Sequence, residues 1–599
     1  MSDQCSKTGP PLDLAAIESQ TPSNDPASFA HCELQNLPSN GPFNRESDVF
    51  HPLSTTVPGI GNLTDSARSA TRAEQKMTLG QGFRLYPMAI LWSILISSTI
   101  IMDGYDMSLL TSFFTFPVFQ RSYGEPVPAP AAVPESQQTD GQEPSYQISP
   151  VWQAALINGT QIGVILGLIG NGFVADIFGY RRTLLAALLA LAAFVFLPVF
   201  APNIQALLAA QILCGIPWGI FQTLSVSYAA EVMPVVLRGH FLSYINQCWV
   251  LGQTCGVVVI RALVDTDSVW AYRIPFALQW VFIIILVAGV LFAPESPWWL
   301  VRQNRPQDAR KSLLRLTKAR TGIVCVDETI AMMTHTNKIE KTLGGDGNIS
   351  YLNCFRGVDL RRTEITTMVW VTQQLCGSTL TFYAAYFYEQ AGFHVRDAFN
   401  LAVGMYGLAI AANVISWFLL PFVGRRRLYL AGAALSLVIL IVGGCISLIP
   451  QTPAQSWALG SLIVILTFVY QMTLGPICYT LVAEIPSTRL RVKTVVIGRV
   501  AYNLTSIIAN TITPRMLNPT AWNWKGKSCF LFVGTTLLCL VWCYFRLPET
   551  FGLSFLEIDI LFQKRANAAK FRVFQRNLER SGYHDLPGNN RGVDVWQRY

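Results

Sequence analysis

The chain has 599 residues; 51% are apolar and only 13% charged, with 44 Lys and Arg against 36 Asp and Glu, a formal net charge of +8. An ordinary soluble protein carries roughly 25% charged residues, so this composition excludes a disordered chain, a coiled coil and a nucleic-acid binder charged along its length. It points into a bilayer.

Residues 1–84 are Ser-, Pro- and Asn-rich and acidic, with no apolar run long enough for a signal-peptide core. They read as a disordered, unprocessed tail. From Pro87 onward, apolar runs long enough to cross about 30 Å of hydrocarbon as helices recur. Twelve are expected: 87–113, 151–175, 183–201, 206–229, 241–262, 273–293, 363–388, 398–421, 428–449, 457–482, 492–513 and 528–547. Helices alone fit, because lipid offers no partner to an open strand edge. Residues 114–150 form a long connection after the first run. Residues 294–362 form a central loop, which divides the apolar part into six spans (85–293) and six spans (363–547), followed by a tail at 548–599. Lys and Arg fall overwhelmingly on the side holding both tails, which predicts cytosolic termini. Those bases anchor topology beside anionic lipid and require no nucleic-acid partner. The 13 Cys show no CxxC pair and mostly sit in apolar runs, so they read as buried free thiols.

Three charged marks occur twice in the same order. Gly179-Tyr180-Arg181-Arg182 answers Gly424-Arg425-Arg426-Arg427; Glu231 and Arg238 answer Glu484 and Arg491; Pro294-Glu295-Ser296 answers Pro548-Glu549-Thr550. The nearly constant offset predicts a duplicated six-helix unit. Two such halves about an axis along the membrane normal would hold a solute at mid-depth between them.

The segments GNGFVADIFGYRR (170–182), AEVMPVVLRG (230–239), PESPWWL (294–300), QQLCGSTLTFY (373–383), GPICYTLVAEI (475–485) and PETFG (548–552) resemble the signature set of the major facilitator superfamily's sugar porters, in that family's order. More narrowly, residues 92–114, 212–223 and 375–392 resemble the fungal α-glucoside permeases, the maltose/proton symporters of yeasts and moulds. The resemblance implies an all-α integral membrane protein of major facilitator fold, a neutral sugar substrate, protons, no cofactor and a plasma-membrane location. A monomer is expected.

Asp176, Arg181, Arg182, Glu231, Arg238 and Glu295, with Arg425, Glu484, Arg491 and Glu549 in the second half, are expected to latch the cytosolic end by charge-assisted hydrogen bonds. The plainer alternative is that the bases only satisfy the positive-inside bias, which leaves the acids unexplained. Pro421 occupies the place where the family usually has the latch Asp, which predicts a weaker latch on that side. Ionisable residues inside the spans are functional suspects. Asp103, Asp106 and Arg499 are candidates for proton coupling, and Asp106 stands where many of the family's symporters carry the titrating acid. A fixed Asp–Arg pair is the alternative. Along straight helices Asp106 and Arg499 differ in depth by about 18 Å, which argues against direct contact. Val164, where α-glucoside symporters tend to have a Glu, and Gln211, where bacterial sugar symporters carry an Arg, weaken the symport expectation.

A sugar site needs amides that donate and accept, and rings that stack. The candidates are Gln247, Gln373, Gln374, Tyr383, Tyr386, Tyr479 and Asn503. The resemblance places Gln247, Gln373 and Gln374 at hydroxyl-binding positions, with Thr379 replacing an Asn and Tyr479 a Trp. An interhelical hydrogen bond is the plainer role for any lone Gln. Pro and Gly at 215–219 and 475–476 predict either hinges or close packing. No HExxH, phosphate loop or GxSxG elbow is present, so neither an enzyme nor an ATP-driven pump is expected. A carrier of a fungal specialised metabolite, a facilitator without proton coupling and a transporter-like sugar sensor remain as alternatives. The Ser-, Thr- and Lys-bearing N-terminal tail is a candidate handle for ubiquitin and arrestin-type machinery.

Overall fold

The computed structural model describes residues 77–126, 146–318, 326–344 and 350–551 apart from a few single or paired positions, with isolated residues at 70 and between 553 and 571. The candidate tail handle lies outside these residues. In the first half, α1 (Pro87–Phe113), α2 (Pro150–Phe178), α3 (Tyr180–Val199), α4 (Ile204–Val232), α5 (Val235–Leu263) and α6 (Trp270–Val290) follow one another. The central connection carries α7 (Pro297–Arg302), α8 (Pro306–Leu316) and α9 (Val326–Gly344). The second half comprises α10 (Gly357–Gln373), α11 (Val395–Val423), α12 (Arg425–Ile446), α13 (Pro453–Met472), α14 (Leu474–Glu484), α15 (Arg491–Leu517) and α16 (Cys529–Arg546).

Local sequence sets these boundaries. Pro87, Pro150, Pro297, Pro306 and Pro453 open helices at positions where a backbone N–H would be unpaired anyway. Gly179 and Gly424, both at φ 85°, turn the chain between α2 and α3 and between α11 and α12. The connection after α1 contains a two-residue antiparallel pairing of β1 (Glu125–Pro126) with β2 (Tyr146–Gln147).

Among the described residues, ten helices are long and apolar enough to cross a membrane. Helix α13 and helix α14 count as one of these, Pro453–Glu484, broken at Thr473. Two further helical segments, α5 and the run begun by α10, stand where spans five and seven are expected. Both are less apolar because they carry Asn246, Gln247 and Gln253, or Gln373 and Gln374, all buried inside the bundle. Beyond α10 the chain makes a π-helical turn, Gln374–Ser378, with Gly377 at φ 88°, then continues through Thr379–Phe382 and Ala384–Gln390. Large apolar side chains such as Phe422 and Leu538 stay exposed on the outer faces, a surface suited to lipid.

Lipid tails are as apolar as Leu, so helix association rests on close packing. Helices α2 and α4 show it: a Cβ on Gly163 would lie 2.0 Å from the Ile212 carbonyl oxygen, and one on Gly219 2.2 Å from that of Val164. Helix α4 continues through Pro217 without interruption, so its glycines serve packing. The glycine-proline pair of α14 instead follows a real break. At the seam, α2 packs on α15, and α5 packs on α11 and α14. The second and fifth helices of one half thus meet the fifth and second of the other, as a two-fold axis between repeated units requires.

Candidate transport site

Helix α1 supplies two carboxylates one turn apart. Asp103 Oδ2 accepts from Gln222 Nε2 of α4 at 2.8 Å and from Trp249 Nε1 of α5 at 3.1 Å. Asp106 Oδ1 accepts from Gln279 Nε2 of α6 at 2.9 Å, while its Oδ2 is buried without a hydrogen-bond partner. The glycine between them makes this possible. A Cβ on Gly104 would stand 2.3 Å from the Trp249 carbonyl oxygen, so no larger residue lets α5 approach closely enough to reach Asp103.

Arg499 enters from α15 across the seam. Its Nε donates to Gln222 Oε1 at 2.7 Å, and its guanidinium lies 4.5 Å from the Trp370 ring centre and 4.1 Å from that of Tyr502. These rings attract the cation and exclude water around it. Asp103, Asp106 and Arg499 all line one cavity between the halves. No hydrogen bond or ion pair joins Asp106 to Arg499 among the described contacts, in keeping with the depth difference expected along straight helices.

The cavity is also lined by Met107, Thr160, Gln161, Val164, Trp218, Gln222, Trp249, Gln374, Tyr502 and Asn503. Of the sugar-binding candidates, Gln374 and Asn503 are there, and both polar ends of Asn503 are buried without partners. Gln374 Oε1 also accepts from Ser378 Oγ at 3.3 Å and Thr379 Oγ1 at 3.2 Å. Gln373 faces elsewhere: its Nε2 donates to the carbonyls of Leu474 and Gly475 at 3.3 and 3.2 Å, tying α10 to the first turn of α14. Gln247, Thr379, Tyr383, Tyr386 and Tyr479 are buried but outside this lining; the Tyr479 ring meets Trp370 edge-on at 5.0 Å. Val164 forms an apolar part of the wall, and Gln211 accepts from Thr160 Oγ1 at 3.2 Å behind it. Sequence reasoning passed over Gln161, Trp218, Gln222 and Trp249. For the two glutamines the signal was available, since an uncharged amide within an apolar span must find either a partner or a ligand.

The charged marks form two matching networks at the other end of the helices. Glu295 accepts from the backbone N–H groups of Tyr180 (2.9 Å) and Arg181 (3.2 Å), and Glu549 accepts from those of Arg425 (2.9 Å) and Arg426 (3.3 Å). The positive φ of Gly179 and Gly424 presents the first N–H groups of α3 and α12, and the acid caps them. The arginine side chains reach back to carbonyls, Arg181 to Leu291 and Arg426 to Tyr544. Glu484 pairs with Arg425 at 3.1 Å and accepts from Thr550 Oγ1 at 2.6 Å. Its counterpart Glu231 accepts from Ser296 Oγ at 2.5 Å, from Tyr180 Oη at 3.0 Å and from Arg302 at 2.7 Å. Tyr180 stands where the second half has Arg425, so α7 supplies the missing cation through Arg302. Arg238 and Arg491 are buried and Arg182 is exposed. Asp176 crosses the seam to Lys493 at 2.5 Å, a latch partner the sequence did not suggest.

Two helical halves meeting over a charged, amide-lined cavity are the arrangement of a membrane transporter. The family model for sugar (and other) transporters matches residues 92–562. A general alpha-glucoside permease of Saccharomyces cerevisiae is 38% identical over 514 residues, covering 85% of this chain and 81% of that protein. A maltose permease of the same yeast is 36% identical over 520 residues, covering 86% and 82%. Among solved structures, the proton:xylose symporter XylE bound to 6-bromo-6-deoxy-D-glucose superposes with a TM-score of 0.67 at 19% identity, over 80% of this chain and 99% of that one. The inward-open form of the Escherichia coli xylose transporter gives 0.57 over 79% and 99%. The fold is that of the major facilitator superfamily, and the chain belongs to its sugar transporter family. It is a transporter, not an enzyme.

Proposed function

We propose that this protein carries an α-glucoside such as maltose by alternating access, together with a proton, across the plasma membrane with both termini in the cytosol. The observation that carries the reading is the charge balance of the cavity. Its lining holds two carboxylates, Asp103 and Asp106, and one guanidinium, Arg499. One negative charge is therefore unbalanced in a low-dielectric site, an expensive arrangement that a bound proton relieves. Asp106, with one oxygen unpartnered, is the position for that proton. Loss and gain of the charge would then bias which way the halves tip. Gln161, Gln374 and Asn503 present amides to a hydroxyl-rich solute, and Trp218, Trp249 and Tyr502 present rings to its C–H faces. The α-glucoside and maltose permeases among the relatives support the substrate class.

The test is uptake of labelled maltose in a transporter-deficient yeast and in vesicles with an imposed pH gradient. Accumulation that follows the gradient and is lost in Asp106→Asn supports the reading; uptake indifferent to the gradient refutes coupling. A second reading, a facilitator or a carrier of a less hydroxylated fungal metabolite, is favoured by Val164 on the cavity wall where a Glu would add a second titrating site. Transport of neither class with growth still responding to maltose would indicate a sensor.

A further inference from the structure

We infer that Gln222 is the positioning residue that makes the charge on Asp103 felt across the seam between the halves, an inference that rests on the proton-coupled reading above. Its amide is wedged between a group that only donates and, when ionised, a group that only accepts. Arg499 Nε, on the second half, donates to Gln222 Oε1 at 2.7 Å; Gln222 Nε2, on the first half, donates to Asp103 Oδ2 at 2.8 Å. A guanidinium has no acceptor and a carboxylate no donor, so the amide has one orientation that satisfies both. Reversing it would set N–H against N–H on one side and oxygen against oxygen on the other. Both bonds involve a charged partner and are the strong kind.

The surroundings leave little freedom to reorganise. Gln222, Asp103 and Arg499 are all buried, the rings of Trp370 and Tyr502 hold the guanidinium, and Trp249 Nε1 donates to the same carboxylate oxygen. While Asp103 is ionised, the chain Asp103–Gln222–Arg499 ties α1 and α4 to α15. When the proton held at Asp106 passes to Asp103, one turn away on α1 and on the same cavity wall, the Asp103 carboxyl no longer draws the amide as an anion does. The far bond to Arg499 then loses the polarisation that strengthened it, because hydrogen bonds in a chain reinforce one another. The seam is released at this layer without any movement of Arg499 toward the acid. Gln222 thereby separates two jobs that a direct ion pair would merge: Asp103 stays free to exchange its proton with the cavity, and Arg499 stays in its aromatic cage.

The experiment compares wild-type protein and Gln222→Met, which keeps the length but neither hydrogen bond, in reconstituted vesicles. Two rates are read: maltose counterflow without a gradient, and accumulation driven by a pH gradient. The expected result is a fall of about tenfold or more in the ratio of driven uptake to counterflow, the factor expected for a lost hydrogen bond to a charged group. Equal falls in both rates would mean a merely structural amide and would overturn the inference. If the wild type moves no maltose at all, the substrate reading fails, and the bridge is judged by a measurement that needs no substrate. Melting midpoints are taken for Asp103→Asn, Gln222→Met and the double variant. A double variant no less stable than the weaker single supports the bridge; additive losses overturn it.

Discussion

The ammonium of Lys493, on α15 of the second half, lies 2.5 Å from Oδ2 of Asp176, on α2 of the first. Lys493 is nearly buried, while Asp176 is 39% exposed, so the pair is partly screened and contributes about 1 kcal/mol. It is one of the bonds that join the halves at the end bearing the charged motifs, beside the contact of Thr480 Oγ1 with the Gly239 carbonyl. Replacing Asp176 by Asn is expected to raise hydrogen exchange in the first turns of α15 by about fivefold, the equilibrium equivalent of that energy. Unchanged exchange would show that Lys493 finds another partner and that the latch lies elsewhere.

Glu295 sits outside the membrane-spanning segments, and burial holds its carboxyl above the ordinary value of 4.5 despite the N–H groups of Tyr180, Arg181 and Ser296 that favour the anion. A folded-state value above the unfolded one means that the folded protein binds more protons, so this group's contribution to stability declines as pH rises through the folded value. The difference in melting midpoint between wild type and Glu295→Gln should therefore shift in favour of the wild type as pH falls from neutral toward the carboxylate range. A difference that moves the opposite way would show that the backbone cap, not burial, governs the site.

Adding one methyl group at Gly219 should disrupt the contact between α2 and α4. With the Val164 carbonyl oxygen only 2.2 Å from the new Cβ, Gly219→Ala is expected to destabilise by about 1–3 kcal/mol or more and to displace Gln222, three residues on. Gly170→Ala, on α2 where nothing lies within 4 Å, should leave the melting midpoint within the shift of about 1 kcal/mol that helix propensity allows. Equal effects of the two variants would contradict the packing argument.

The adjacent glutamines of span seven should separate in their behaviour. Gln373→Leu removes the interhelical bonds to the carbonyls of Leu474 and Gly475 and should reduce stability by about 1–2 kcal/mol, read as a lower melting midpoint. Gln374→Leu removes an amide from the cavity wall and should act on the apparent affinity for sugar instead. Calorimetry together with uptake titration distinguishes them; an affinity loss confined to Gln373→Leu would invert the assignment.

The membrane-spanning helical character, the repeated marks and the family were legible because each is written at a length scale a single chain displays: about 20 residues for a span, one half for the repeat, a short motif for each helix end. Partnerships were not. Glu295 was named for the cytosolic gate without a partner and lies on the N-terminus of α3, because the direction in which Gly179 turns the chain is a matter of φ. Arg302 and Lys493 lie outside the doubled marks, so no internal symmetry pointed to them. The two halves look alike in sequence at Glu231 and Glu484, yet Tyr180 in place of Arg425 obliges α7 to provide a cation for one and not the other.

The sequence by itself determined a bilayer-spanning, duplicated helical chain, since hydropathy and period act locally and survive in any arrangement of the helices. Only the tertiary structure decided that Gln222 stands between Asp103 and Arg499, and that Gln373 supports a broken helix while Gln374 faces the cavity. The physical reason is that a buried polar group must be satisfied, and which neighbour satisfies it depends on helix rotation and seam geometry that the order of residues does not specify.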